Sequence, residues 1–290
     1  MTIEYQIVNN GEAYRPRIPE VAELFSLVFE RVFPLDAWKQ WYLENPYGDP
    51  LVALEYQNNQ LVGHHALLPQ KMVARTGESL RYFLSVSTMV HPAHRRLGGF
   101  LHMVSALQEE AQGTGAACIL AFPNARSAPL FKKLCGYQPI LQTEMCNWSP
   151  ARTLIEGDKP PEASLETAGE GRFSYPSGET YLSWRTRNNH AKSCAIGASL
   201  RLVYKVIEPA TLMILDAWVE EKRDAATHLA SLAKSLGLSN VRLTRYHAAK
   251  LGLVDSDLAQ HDDYVVRFFG LPLAQEIPDI RFSLLLSDVF

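Results

Sequence analysis

The residues with most chemistry in them form one run: Ser87-Thr88-Met89-Val90-His91-Pro92-Ala93-His94-Arg95-Arg96-Leu97-Gly98-Gly99-Phe100. An apolar stretch is stopped by Pro92, and two arginines and two glycines open a helical pattern. This combination suits a diphosphate. The first turn of a helix has free N–H groups and a partial positive charge, so it attracts anions. Glycine lets the backbone approach phosphate oxygens, and arginine adds charge-assisted hydrogen bonds. The plain alternative is a solvated helix start with two surface arginines. The order of strand, loop and helix favours the anion. His91 and His94 could act as acid or base groups, although a loop histidine is more often only solvated.

The run needs a strand before it and a helix after it, and the flanking pattern supplies both. Leu80 to Val90 predicts a strand, and Gly98 to Gln112 a helix with Leu101, Val104, Leu107 and Ala111 on one face. Upstream, Ile3 to Val8 reads as a strand, and Pro19 to Val32 and Leu35 to Leu43 as helices. Leu51 to Tyr56 and Leu61 to Leu68 form a hairpin turning at Asn58-Asn59, because Asn tolerates positive φ. A second hairpin turns at Thr76-Gly77-Glu78. Downstream, Ala117 to Phe122 reads as a buried strand and Ser127 to Leu134 as a helix, with Gly136 suited to its C-terminal end. Antiparallel strands followed by β-α-β-α-β predict an α/β (α+β) mixed sheet with helices on its faces.

The chain of 290 residues is long enough for two cores. Lys+Arg is 28 and Asp+Glu is 31, so there is no global drive towards nucleic acid. The four cysteines, Cys118, Cys135, Cys146 and Cys194, form no C-x-x-C pair, which predicts no metal site and suits a reducing cytosol. The N-terminus lacks the pattern of a signal peptide, and no apolar run approaches the roughly 20 residues of a membrane span. A soluble cytoplasmic protein is expected, with no membrane partner and with a homo-oligomer left open. The composition shifts over residues 151–172, which predicts a first domain over 1–150, a linker over 151–172 and a second domain over 173–290.

The second half echoes the first. Trp41-Tyr42-Leu43-Glu44-Asn45 has a counterpart in Trp184-Arg185-Thr186-Arg187-Asn188, and the order of strands and helices repeats. An internal duplication is inferred, with two unrelated α/β halves as the alternative. Where the phosphate loop would recur stands Trp218-Val219-Glu220-Glu221-Lys222-Arg223-Asp224, with no glycine and three acids. That stretch would repel a diphosphate, so one anion site is expected, in the first half. The chain closes on an apolar, strand-like run from Phe282 to Leu286.

Two motifs carry a family resemblance. The loop Val90-x-Pro92-x-x-Arg95-x-x-Gly98-x-Phe100 resembles the acetyl-CoA loop of the GNAT (GCN5-related N-acetyltransferase) superfamily, Q/R-x-x-G-x-G/A after V-x-P, with Phe100 for the final small residue. Arg95-Arg96-x-Gly before bulky residues is similar to the Eis-like branch (enhanced intracellular survival proteins), in which a degenerate second GNAT domain follows the first. Asn124-Ala125-Arg126-Ser127-Ala128-Pro129-Leu130-Phe131-Lys132-Lys133-Leu134-Cys135-Gly136-Tyr137 resembles N-x-x-[AS]-x-x-L-Y-x-K-L-G-F, with Cys135 inserted and Phe131 for the tyrosine. The resemblance covers residues 1–148.

The resemblance implies two tandem GNAT-like domains, each a mostly antiparallel twisted sheet flanked by helices. It implies acetyl-CoA, or another acyl-CoA, held by Met89, Val90, His91, Arg95, Arg96, Leu97, Gly98, Gly99, Phe100, Asn124 and Phe131. In the family the strand before the loop splays at a bulge, the pantetheine arm pairs with its free edge, and backbone N–H groups hold the thioester oxygen. By position these would belong to Met89 and Val90. The implied reaction moves an acyl group to a primary amine of a small molecule or sugar. It needs a base for the ammonium and an acid for the thiolate. Strand Leu80 to Val90 has no Asp or Glu, and Phe131 replaces the usual acid. Tyr137 and Tyr82 are the nearest hydroxyls by motif position, and Ser85 and Ser87 could hold a water. The terminal carboxylate at Phe290 could be the base, as the chain end is thought to be in the Eis-like family, with Asp288 as a second candidate; the plainer reading, that Phe290 only closes a core, is favoured. The candidate catalytic set is thus Tyr137, Ser87 and Phe290. The missing acid and base support an alternative, a catalytically inactive GNAT-fold sensor or scaffold that binds acyl-CoA. An aminoacyl-tRNA-dependent transferase on a doubled GNAT fold is disfavoured by the CoA-like loop and the lack of basic surplus.

Overall fold

The computed structural model describes residues 2–95, 97–150, 171–176, 179–187, 191–196, 200–207, 210–220, 222, 224–274 and 276–286. The chain forms two compact units. The first gathers the described residues of Met1–Ile140, Arg172–Pro176 and Phe268–Ile280, and the second those of Leu141–Gly171, Ser177–Arg267 and Arg281–Phe290.

The elements in chain order are β1 (Ile3–Val8), α1 (Gly11–Tyr14), α2 (Ile18–Phe29), α3 (Leu35–Tyr42), β2 (Leu51–Gln57), β3 (Gln60–Ala74), β4 (Ser79–Val90), α4 (Leu97–Gln112), β5 (Cys118–Ala121), α5 (Ala128–Leu134) and β6 (Gln138–Trp148). There follow β7 (Phe173–Ser174), α6 (Glu179–Thr186), β8 (Lys192–Ile196), β9 (Leu200–Ile207), β10 (Thr211–Val219), α7 (Ala225–Ser235), β11 (Asn240–Thr244), α8 (Arg245–Lys250) and β12 (Leu258–Pro272). The sequence α3-β2-β3-β4-α4-β5-α5-β6 recurs as α6-β8-β9-β10-α7-β11-α8-β12, which is the repeat expected of a duplication. In both copies the last hairpin strand pairs parallel with the next strand, β4 with β5 and β10 with β11.

Local chemistry explains the boundaries. α2 ends where Glu30 enters the left-handed region at φ 53 and returns its N–H to the Ser26 carbonyl. The β2–β3 turn places Asn58 at φ 49 and Asn59 at φ 65, as a two-residue hairpin turn with positive φ at both positions requires. In the first unit the strand order is β1-β2-β3-β4-β5-β12, with β7 beside β3. Phe100, Met103, Val104, Leu107 and Ala111 of α4 pack on Leu51, Ala53, Leu67, Phe83 and Ile119. In the second unit the order is β6-β11-β10-β9-β8. Its core joins Leu202, Ile214, Leu229, Ala233, Leu243 and Leu251.

Two expectations need correction. The units are not the consecutive stretches 1–150 and 173–290. β5 lies parallel to β4 and offers its other edge to Phe269–Pro272 at the end of β12, so the first unit is completed from the second half of the chain. Met145–Trp148 of β6 pair instead with Val241–Thr244 of β11 in the second unit. The expected linker lies outside the described residues except for Gly171 and Arg172. Residues 282–286 are not a strand: 284–286 form a 3-10 turn whose Leu284 and Leu286 are buried. Leu284 and Leu286 are buried by this turn rather than by a place on a ladder.

Candidate functional site

β3 and β4 pair antiparallel from Val73↔Ser79 to Ala66↔Val86. The register then shifts, so that His64 faces Met89 and Gly63 faces Val90. Ser87 and Thr88 therefore oppose His65 alone, which is a β-bulge. Ser87 sits at φ 51, a conformation strained for any residue with a side chain. On its other side β4 pairs with β5 only from Tyr82↔Cys118 to Ser85↔Ala121. Among the described residues no strand continues this pairing, and β4 runs on to Val90. The bulge expected before the loop is present, and β4 runs on past the end of β5.

The open edge can be read atom by atom. The His91 N–H donates to the Val62 carbonyl at 2.8 Å, so His91 faces β3. Alternation along an antiparallel ladder then turns the Met89 N–H towards β3 and the Val90 N–H to the open side. Of the two donors named from sequence, Val90 is the one available there. Ser85, the last β4 residue paired with β5, is buried. The Tyr137 hydroxyl has Ser85 and Gln108 beside it, and burial pushes its phenol well above the usual tyrosine range. Tyr137 is only 2 % exposed and its ring packs at 4.9 Å from that of Phe131.

After the bulge, Pro92–His94 form a 3-10 turn capped by His91, whose Nδ1 accepts from the Ala93 N–H at 3.1 Å. His94 Nδ1 bonds the Gln57 side-chain oxygen. Both histidines are thus engaged in building the loop. Arg95 is exposed. Arg96 lies outside the described residues, as do Phe290 and Asp288, and the Leu97 side chain is likewise not described. Gly98 is exposed, with nothing within 4 Å of where a Cβ would stand. Gly99 is buried, and a Cβ there would overlap the carboxylate of Glu55. A side chain there would displace the Glu55 carboxylate from its place against α4. Phe100 turns inward, its ring 5.7 Å from that of Phe131. Both rings are core, as is the Met89 side chain, so any ligand contact of Phe100 and Met89 is through the backbone. The Asn124 side-chain oxygen accepts from the N–H groups of Arg126 (3.0 Å) and Ser127 (2.9 Å), which makes it the local turn former before α5.

Sequence reasoning missed three residues. Glu55, a buried carboxylate beside the first turn of α4, was visible only as one acid in an apolar strand. His64 and His65 are both fully buried on β3 at the bulge. His64 Nδ1 bonds the Ser87 carbonyl at 2.8 Å and its Nε2 the Tyr14 hydroxyl at 3.0 Å. His65 Nδ1 bonds the Thr88 hydroxyl at 2.7 Å. Burial lowers His64 to about 4; burial, together with the neighbouring His64, lowers His65 to about 3.

The second unit keeps the bulge and fills its surroundings differently. The β9–β10 register shifts between Ile214 and Asp216, and β10 pairs with β11 only over Thr211–Met213. Arg281 donates to both carboxylate oxygens of Asp216, at 2.8 and 2.5 Å, and to the Ala217 carbonyl at 2.7 Å. The Ser283 hydroxyl donates to the Leu215 carbonyl at 3.4 Å. Burial alone would raise the Asp216 carboxyl, but Arg281 and His247 hold it well below the usual range.

Residues 13–140 match the family model of the acetyltransferase (GNAT) domain. No protein of the curated set matches the sequence. Among solved structures, a GCN5-related N-acetyltransferase from Anabaena variabilis is 12% identical, covering 93% of this chain and 73% of its own, with a TM-score of 0.65. Eis1 from Mycobacterium abscessus is 11% identical over 94% of this chain and 74% of its own, with a TM-score of 0.61. A tandem GNAT protein from the clavulanic acid biosynthesis pathway is 14% identical over 94% of this chain and all of its own, with a TM-score of 0.50. At these identities the likeness is one of fold.

Proposed function

We propose, from the match of residues 13–140 to the GNAT acetyltransferase domain and a fold similar to that of a tandem GNAT protein, that the chain transfers an acetyl or similar acyl group from acyl-CoA to a primary amine of a small molecule or sugar. The observation that carries the reading is the bulge at Ser87–Thr88, with the β5 side of β4 left without a strand partner beyond Ser85 among the described residues. An extended pantetheine arm fits such an edge, since it can add main-chain hydrogen bonds as a further strand would. The start of α4 fits the diphosphate: Gly98 has open space around it, and Arg95 is exposed just ahead. Acyl-CoA supplies the activated acyl group when bound.

The chain's own residues would do the rest. Val90 N–H would hold the thioester oxygen from the open side of β4. Val86 to Val90 would orient the arm. Ser87 and Thr88, both half-buried, would present hydroxyls at the bulge. The acceptor amine must lose a proton, and the leaving thiolate must gain one. Tyr137, beside Ser85, would be the hydroxyl that protonates the leaving thiolate. Its burial favours the second reading, an acyl-CoA-binding sensor or scaffold without turnover, because a phenol held protonated so firmly gives up its proton reluctantly.

Release of CoA thiol from acetyl-CoA, measured against a panel of amino sugars, polyamines and small primary amines, separates the two. Amine-dependent release supports the transferase. Binding of CoA by calorimetry without release supports the sensor. A protein that binds no CoA fits neither.

A further inference from the structure

We propose that His64, oriented by Tyr14 and Trp38, is a positioning residue that clamps the Ser87–Thr88 peptide so that the Thr88 N–H is turned away from β3. The inference deepens the acyl-transfer reading and rests on it.

The protons along this chain of groups can be assigned by elimination. The Trp38 indole nitrogen can only donate, so the Tyr14 oxygen accepts from it at 3.0 Å. The Tyr14 proton must then point to His64 Nε2, 3.0 Å away. The Ser87 carbonyl can only accept, so His64 Nδ1 carries the proton that reaches it at 2.8 Å. His64 is thereby a neutral imidazole in one tautomer. Burial agrees with that state, since it lowers the imidazole to about 4. The rings are themselves fixed: Trp38 stacks on Tyr42 at 4.4 Å and 5°, and Tyr14 stacks on the same Tyr42 at 5.3 Å.

A trans peptide is planar, with its carbonyl and the following N–H pointing in opposite directions. Holding the Ser87 oxygen on His64 therefore sends the Thr88 N–H the other way. Ser87 at φ 51 would relax towards an ordinary strand if nothing held it. The neighbouring His65 holds the other half of the bulge, through the Thr88 hydroxyl at 2.7 Å. Two consecutive residues of β3 thus fix one residue each of the bulge. Alternation in β3 sends their side chains to opposite faces. With Thr88 and Val90 both turned from β3, two donors stand where a thioester oxygen would be held.

Two measurements test the clamp. In the wild-type protein, the nitrogen-15 spectrum of the imidazoles between pH 6 and 8 should show a neutral histidine protonated at Nδ1, and Tyr14→Phe should shift its Nε2 resonance while the proton stays on Nδ1. Calorimetry should then compare acetyl-CoA with CoA, since only the former brings a carbonyl. Tyr14→Phe and His64→Leu should reduce the preference for acetyl-CoA about tenfold while leaving CoA affinity nearly unchanged, and His64→Asn, which keeps a donor for Ser87, should restore it. His64 protonated at Nε2, or a wild-type preference in His64→Leu, overturns the clamp alone. A wild type that binds neither molecule overturns the clamp together with the transfer reading.

Discussion

Arg95 and Glu55 bring opposite charges to the start of α4, one exposed ahead of it and one buried against Gly99. A diphosphate arriving there gains from the first and is opposed by the second. Arg95→Glu should weaken CoA binding by about 1–3 kcal/mol, through a lost charge-assisted contact and added repulsion. Glu55→Gln should strengthen it, because the helix start then carries its partial charge uncompensated. Calorimetry reads both, and unchanged affinity in Arg95→Glu would remove the phosphate from this loop. The histidines predict a pH effect. His64 faces Tyr14, the Trp38 and Tyr42 rings and the Ser87 carbonyl, while His65 faces Thr88 and feels His64. Both are depressed in the fold relative to the ordinary 6.5. The unfolded chain therefore binds more protons between that value and about 4, and stability falls as pH falls through this window. The buried His247 is lowered too and adds in the same direction, whereas Asp216 acts only below the carboxylate range. His64→Asn should flatten the fall, and an unaltered profile in denaturant titrations across pH 4–7 would contradict the assignment.

At the scale of elements, the bulge is the feature most exposed to test. Ser87 occupies the left-handed region on a strand, so Ser87→Gly should be tolerated or slightly stabilising, while Ser87→Val should cost about 1–3 kcal/mol by chemical denaturation. Equal stability of the two variants would mean the backbone there is free to relax. Most elements around the site were legible beforehand, because their signals are local. Asn58-Asn59 declared the hairpin turn, and the apolar stripe of α4 declared its buried face. Gly136, at φ 76, ends α5 as its position suggested. The splayed edge and bulge were implied by family resemblance rather than by periodicity. What stayed hidden is long-range. His64 reads as one more residue of a strand until Tyr14, 50 positions earlier, and Ser87, 23 later, close on it. Glu55 was hidden for the same reason, since its partner α4 lies more than 40 residues away. The strand that completes the first unit, β12, carries no mark of its destination, and Phe282 to Leu286 has the composition of a strand without an edge to join.

Over the whole molecule, the duplication explains why two similar bulges have different fates. In the first unit β4 leaves its edge open after Ser85. In the second, β10 leaves β11 after Met213, and the chain's own residues meet the carbonyls that this exposes. Arg281 takes Ala217, and Ser283 takes Leu215. The Arg281 guanidinium is held in turn by the Asp216 carboxylate at the bulge and lies over the Trp218 ring at 4.7 Å. Such a pair is costly to break, because removing one partner leaves a buried charge alone. An extended thiol arm would have to displace it and would then find no glycine between Glu220 and Asp224 to receive its phosphates. The expected stoichiometry is one CoA per chain. Asp216→Ala should destabilise the second unit by about 3–5 kcal/mol. Because Asp216 belongs to the second unit and the β4 bulge to the first, any folded fraction should keep that single site at unchanged affinity. Titration of the intact protein reads the number directly. Two sites per chain would mean that Arg281 and Ser283 yield to the ligand, and that the second bulge has kept the function of the first.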